Sequence, residues 1–170
     1  MKLIFLDIDG CLNSERFYRD RHEGRNDAKS RKHPYSEIDY DGIGLLNNLI
    51  KETGTKVVIS STWRLGRTTE QFQEFFKKCG FKGEIIDITP DLRRGEFHDS
   101  IFRGNEVHAW MEKNRGLLGK ELHKFRDYVI FDDDSDFLYW QRNNLIIVDG
   151  SVGLTRNTIY KAKRILNRDE

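Results

Sequence analysis

The 170-residue sequence predicts an α/β domain built on a five-stranded parallel sheet flanked by helices. Three observations carry this expectation. Five short apolar runs of strand length alternate with longer amphipathic stretches. The first run is apolar on both faces, as a central parallel strand covered by helices must be. Acidic and hydroxyl residues stand directly behind several of the runs, at the carboxyl ends of the strands, where open α/β sheets bind their ligands.

The length suits one domain over residues 1–170, long enough to bury a sizeable core. With 29 basic and 28 acidic residues the formal net charge is +1, so overall charge carries no message about nucleic acid and only local clustering can. Cys11 and Cys79 fit neither a zinc site nor a disulfide framework, which implies free thiols. The leading apolar run is too short to span a membrane and ends in acids unlike a signal peptide. The expectation is a cytoplasmic protein with no membrane partner; nothing in the sequence bears on oligomeric state.

The first strand runs into Asp7-Ile8-Asp9-Gly10. Side chains alternate along a strand, so Asp7 and Asp9 share a face while the strand continues, and Gly10 permits a sharp departure. Two carboxylates about 4 Å apart repel by roughly 4 kcal/mol at an effective dielectric near 20, so the pair calls for a proton or a cation. Hard oxygen donors favour Mg²⁺. The competing reading is a strand end whose aspartates merely cap the next segment.

Asn13 to Tyr40 is the stretch least like a core element, with one short helix expected around Glu15–Arg21. Arg16, Arg19, Arg21, Arg25, Lys29, Arg31, Lys32 and His33, interleaved with Phe17, Tyr18 and Tyr35, suit a flap that grips a phosphate backbone and stacks on bases. A solvated charged loop fits the same residues equally well. Ile43, Leu45, Leu46, Leu49 and Ile50 then mark a helix of about 12 residues that ends at Thr53-Gly54. Lys56 to Ser60 is a buried second strand, followed at once by Ser61-Thr62-Trp63-Arg64. Hydroxyls and backbone amides there suit phosphate oxygens, and an arginine adds a bidentate clamp. The alternative is a turn that caps the next helix, a task for which Thr68 and Gln71 already supply a capping box.

That helix carries Phe72, Phe75 and Phe76, an aromatic stripe read as core, and stops at Cys79-Gly80. Glu84 to Ile88 is the third strand and Asp91 to Ser100 a loop. Phe102, Val107, Trp110 and Met111 mark a helix with Arg103 at its entrance; Arg93, Arg94, Lys113 and Lys120 compete with Arg103 for any catalytic role. Asp127 to Phe131 is the fourth strand and opens into Asp132-Asp133-Asp134-Ser135-Asp136. A charge run is usually solvated. Here a parallel sheet would bring it to the same edge as Asp7 and Asp9. Leu145 to Asp149 is the fifth strand, and a final helix from Arg156 to Leu166 turns Ile159, Ala162, Ile165 and Leu166 inward.

Taken together these residues resemble the haloacid dehalogenase (HAD) superfamily of phosphatases. Asp7-Ile8-Asp9-Gly10 is similar to its first motif, Ser60 after Val57-Val58-Ile59 to its second, and Phe131-Asp132-Asp133 to its fourth, in order along essentially the whole chain. Ile59 to Arg64 together with Arg103 to Glu106 resemble, more narrowly, small bacterial and phage members related to nucleic-acid-repair phosphatases. The resemblance implies a Rossmann-like sheet with the first strand between the second and the fourth, and a short basic flap over residues 13–40 instead of a full cap domain. It makes Asp7 the nucleophile that carries an aspartyl phosphate, and Asp9 the acid and base for the leaving oxygen and for water. It assigns Mg²⁺ to Asp7, Asp132, Asp133 and, through its backbone carbonyl, Asp9. Ser60 and Arg103 would neutralise the transferred phosphoryl oxygens, with Ser61, Arg64, Arg16 and Arg19 as further substrate contacts. Arg103 departs from the lysine more usual in the third motif. Cys11 stands where threonine or valine is common, which suggests a thiol open to oxidation.

The expected activity is a Mg²⁺-dependent phosphomonoesterase of nucleotides or polynucleotide terminal (3′) phosphates, with a phosphorylated small molecule or a nucleic-acid end as its partner. A phosphatase of metabolite phosphates or phosphoproteins is the enzymatic alternative. The non-enzymatic ones are a phosphorylatable signalling domain and a nucleic-acid-binding module. Receiver-type signalling domains place their acidic pair, acceptor and hydroxyl in a different chain order, which disfavours the first of these.

Overall fold

The computed structural model describes residues 1–23, 37–93, 101–119 and 121–168. Its five strands are β1 (Leu3–Leu6), β2 (Lys56–Ile59), β3 (Ile85–Ile88), β4 (Tyr128–Asp132) and β5 (Leu145–Ile147). All pair in parallel in the order β3-β2-β1-β4-β5, so β1 lies between β2 and β4 as expected. Among the described residues the helices are α1 (Glu15–His22), α2 (Tyr40–Thr53), α3 (Thr69–Lys78), α4 (Arg103–Lys113), the single turn α5 (Arg115–Leu118) and α6 (Arg156–Leu166).

Strand alternation divides the core in two. Ile4, Leu6, Val57, Ile59, Val129 and Phe131 face the layer that contains Leu46, Leu49, Phe72, Phe76, Ile159 and Ala162 from α2, α3 and α6. Leu3, Phe5, Val58, Tyr128 and Ile130 face the other way, against Val107, Trp110 and Met111 of α4. The Phe5 ring meets Trp110 and Tyr128 edge-on at 5.3 and 6.0 Å. All four residues of β1 are fully buried, which is why both its faces are apolar.

Local signals set the helix ends. The Asp39 side chain accepts from Asp41 N, which starts α2 at Tyr40 and makes it longer than the apolar spacing alone suggests. Gly54, at φ +66°, closes it. Thr68 and Gln71 form the anticipated capping box of α3. The aromatic stripe is core, with Phe72 and Phe76 fully buried. β3 starts one residue later than expected, β4 one residue later and runs on through Asp132, and β5 stops at Ile147. Three short 3₁₀ turns, Thr62–Arg64, Leu122–Lys124 and Tyr139–Asn144, and α5 carry no periodicity by which sequence could find them.

In the 13–40 stretch, Ser14 caps α1 by accepting from Phe17 N. Asn13 joins the two ends of the stretch: its Nδ2 donates to Glu37 O at 2.6 Å and its Oδ1 accepts from Asp39 N at 3.0 Å. Phe17 is buried, contrary to a stacking role for it. Arg25, Lys29, Arg31, Lys32, His33 and Tyr35 of the expected flap lie outside the described residues, as do Arg94 and Lys120. Among the described residues no helix is long and apolar enough to cross a membrane.

Candidate active site

Parallel pairing aligns the ends of three strands. The amide of Ser60 donates to Leu6 O at 2.8 Å, and the amide of Asp7 donates to Phe131 O at 3.0 Å. Ser60, Asp7 and Asp132 therefore stand side by side at the carboxyl edge of the sheet. Beyond Asp7 the chain turns at Gly10, whose φ of +74° suits glycine. A Cβ there would lie 2.2 Å from Asp133 Oδ2, so the missing side chain is what lets the Asp133 carboxylate reach the site.

One carboxylate oxygen from each of Asp7, Asp132 and Asp133 lies within 4.8 Å of the other two. Burial raises the Asp7 carboxyl above its ordinary range, against the lowering effects of the Ser61 hydroxyl, the Arg103 charge and the Ile8 amide. Burial, followed by the charge of Asp7, pushes Asp132 up to about 8. Asp132 Oδ1 accepts from Asp134 N, while its buried Oδ2 has no hydrogen-bond partner among the described residues. Three crowded carboxylates, one with an orphaned buried oxygen, suit a hard divalent cation better than an empty cavity. The buried Ser60 hydroxyl, next to Asp7 in the row, is also without a partner among the described residues.

Asp9 is set apart from this cluster. Its Oδ1 accepts from the Tyr18 hydroxyl at 2.6 Å and its Oδ2 from Trp63 Nε1 at 2.8 Å. Both its carboxylate oxygens are thus engaged by donors, and Asp9 is not among the three grouped carboxylates. The Tyr18 phenol is pushed up to about 12 by burial and by its bond to Asp9. Trp63 rests at a tilt on Phe75, ring centroids 6.2 Å apart, with the Arg67 guanidinium 5.4 Å from its own centroid.

Arg103, the first residue of α4, stands near the acidic cluster. Its Nε is 3.9 Å from Asp132 Oδ2 and its Nη1 3.9 Å from Glu106 Oε2, beyond hydrogen-bond range of either. Asp136 holds this end of α4 by accepting from Arg103 N at 2.8 Å through its side chain and from Gly104 N at 3.2 Å through its carbonyl. Gly104 makes that approach possible, since a Cβ would lie 2.6 Å from Leu138 N. Of the competing cations, Arg93 pairs with Asp91 at 2.8 Å. Lys113 ends α4, about 15 Å from its start at 1.5 Å per residue.

Two expected substrate contacts are corrected. Arg64 is almost wholly buried: its Nε donates to Thr89 O, its Nη1 to Ser61 O, and its Nη2 pairs with Glu106 at 2.5 Å. The 3₁₀ turn tucks the guanidinium beneath the site, where it fastens the loop after β2 to α4. Ser61 is fully buried as well, and its hydroxyl bonds Asp7 and accepts from Trp63 N instead of facing a ligand. Arg16 and Arg19 are exposed on α1; the charge of Arg16 acts on Asp39, and that of Arg21 reaches the Tyr18 phenol. The Cys11 thiol is fully buried and its pKa driven up by burial and by Asp7, the reverse of a thiol open to oxidation.

Sequence reasoning had assigned no role to Glu106, Asp136 or the Trp63 indole, nor to the Tyr18 hydroxyl. Glu106, one helical turn after Arg103, was the only one of these with a local signal.

No curated protein and no solved structure matches the chain. The family model described as the HAD domain in Swiss Army Knife RNA repair proteins matches residues 3–159, which hold the three aligned strand ends, Asp9 and Arg103. With that match over most of its length, the chain belongs to this family of HAD domains.

Proposed function

We propose that this protein, to which family membership gives phosphatase-type hydrolase character, is a Mg²⁺-dependent phosphomonoesterase acting through an aspartyl phosphate on nucleotides or the terminal phosphate, in particular the 3′ phosphate, of a polynucleotide. The observation that carries the reading is the separation of two carboxylates that a spacing of two residues would place on one strand face: Asp7 in the acidic cluster, Asp9 outside it between two donors. This separation supports Asp7 as nucleophile and Asp9 as proton carrier.

Asp7 attacks phosphorus, and the bond to the leaving oxygen breaks as that oxygen takes a proton from Asp9. Asp9 then removes a proton from the water that attacks the aspartyl phosphate, which frees Asp7 and inorganic phosphate. Each Asp9 oxygen accepts one bond and keeps a further lone pair for the proton. Ser60 and Arg103 hold the phosphoryl oxygens, the first with an otherwise unpartnered hydroxyl. Asp7, Asp132, Asp133 and the Asp9 carbonyl would hold Mg²⁺, which when bound offsets the carboxylate charge and the charge of the phosphoryl oxygens. The basic face of α1 and the repair context of the family support a polymer end as substrate.

The test is phosphate release, with and without Mg²⁺, from mononucleotides, 3′- and 5′-phosphorylated oligonucleotides and sugar phosphates. Wild-type protein should favour 3′-phosphorylated ends and require Mg²⁺. Asp7→Asn should lose at least about three orders of magnitude in rate while keeping its melting temperature. Wild-type rates in that variant would overturn the mechanism; preference for sugar phosphates would overturn the substrate.

A further inference from the structure

The position of Asp9 fixes more than a proton. In the reading above Asp9 protonates the leaving oxygen, so the body of the leaving group lies on its side of the phosphorus. The two side chains that grip Asp9 are aromatic, and they must therefore flank that body. Tyr18 is 41% exposed, with its hydroxyl fixed by Asp9 and by Asn13 Nδ2 at 3.3 Å and its ring edge-on to Phe17 at 5.4 Å. It is an aromatic surface already immobilised, with little rotamer entropy left to lose on contact. Trp63, braced by Phe75 and Arg67, holds the other oxygen of Asp9. The charge of Arg21 reaches the Tyr18 phenol, and the Arg67 guanidinium lies over the Trp63 ring.

A glycerol leaving group has no face to lay on a fixed exposed ring and a sugar only its C–H face, whereas a nucleoside brings a planar base to stack and, in a strand, a further phosphate for an arginine. We propose that the Tyr18 ring is the stacking platform for the base of the leaving nucleoside, a subsite that selects nucleoside leaving groups. The inference rests on the assignment of Asp9 as proton donor to the leaving oxygen. It makes Tyr18 a residue with two separable parts: a hydroxyl that positions Asp9 for every substrate, and a ring that serves only substrates with a terminal base.

Two variants and one pair of substrates separate these parts. The substrates are a 3′-phosphorylated oligonucleotide and the same strand lacking its terminal base; a 3′-mononucleotide tells a free nucleotide from a polymer end. Wild type should prefer the intact strand by about tenfold in kcat/KM. Tyr18→Phe should slow both strands equally and keep that preference. Tyr18→Leu should abolish it, with an unchanged melting temperature showing that the fold survives. Binding of the same labelled strands to the Asp7→Asn protein, read by fluorescence anisotropy, supplies a measurement that needs no turnover. Affinity that depends on the terminal base in the Tyr18→Phe background and not in Tyr18→Leu upholds the subsite even if no phosphate is released, in which case only the phosphatase reading falls. Equal affinity for the two strands, or equal losses in both Tyr18 variants, overturns it.

Discussion

At Gly10 a backbone angle and the Asp133 carboxylate depend on one another. A side chain at position 10 would meet Asp133 Oδ2 at 2.2 Å while strained at φ +74°. Gly10→Ala should therefore act twice. It should lower stability by about 1 kcal/mol through the backbone. It should also displace Asp133, raising the Mg²⁺ concentration needed for half-maximal activity. A Mg²⁺ titration compared with that of Asp133→Asn tests this: the two variants should show a similar rightward shift, and an unshifted Gly10→Ala curve would mean that Asp133 takes no part in holding the ion. Ser60 shows another dependence at the same scale. A buried hydroxyl without a partner is costly in the free protein and is relieved when a phosphate oxygen supplies the missing bond.

At the scale of elements, the site is held together by an ion pair that belongs to neither metal nor substrate. Arg64 and Glu106 are both nearly buried, and their contact ties the turn after β2 to α4, the helix that carries Arg103. Glu106 also accepts from Leu92 N at 3.2 Å, so the segment after β3 joins the same point. Removing one partner leaves a buried charge, which costs about 3–5 kcal/mol. Arg64→Met should lower the melting temperature by on the order of 10 °C. The double variant Arg64→Met/Glu106→Leu should recover much of that loss while still impairing turnover, because α4, which carries Arg103, loses its tie to the turn after β2. Melting curves of the three proteins decide the matter; no recovery in the double variant would assign the loss to the hydrogen bonds that Arg64 gives to the Thr89 and Ser61 carbonyls.

The same element shows what sequence could and could not tell. Asp7, Ser60 and Asp132 were legible because each follows an apolar run, and parallel strands bring such ends to one edge. The fate of Arg64 was not, because a four-residue string of hydroxyls, indole and guanidinium says nothing about a 3₁₀ turn that buries the last of them. Its partner Glu106 lies on a helix after another strand. For Asp9 the spacing of two predicted a shared face with Asp7, but the chain had left strand geometry by then, with an isolated bridge from Asp9 to Asn13. Tyr18 and Trp63 could then claim one oxygen each of its carboxylate.

At the scale of the molecule, two apolar layers bury both faces of the sheet and leave the carboxyl edge as the place where charge collects. Packing carries Asp7 and Asp132 into that edge with their pKa values raised by burial, Asp132 to about 8. A group whose folded pKa lies above its unfolded value binds its proton more tightly in the folded state. Between the ordinary aspartate value of 3.8 and about 8, the unfolded chain ionises freely and the folded one does not, so stability falls as pH rises through that window. In metal-free protein the melting temperature should be lower at pH 8 than at pH 5. Asp132→Asn, which has no proton to lose there, should flatten the difference. Mg²⁺ takes the ionised carboxylates and not the protonated ones, so it should raise the melting temperature more at pH 8 than at pH 5. A metal-free melting temperature that rises from pH 5 to pH 8, equally in wild type and Asp132→Asn, would show that these carboxylates ionise without cost, and the acidic edge would then have no need of a cation.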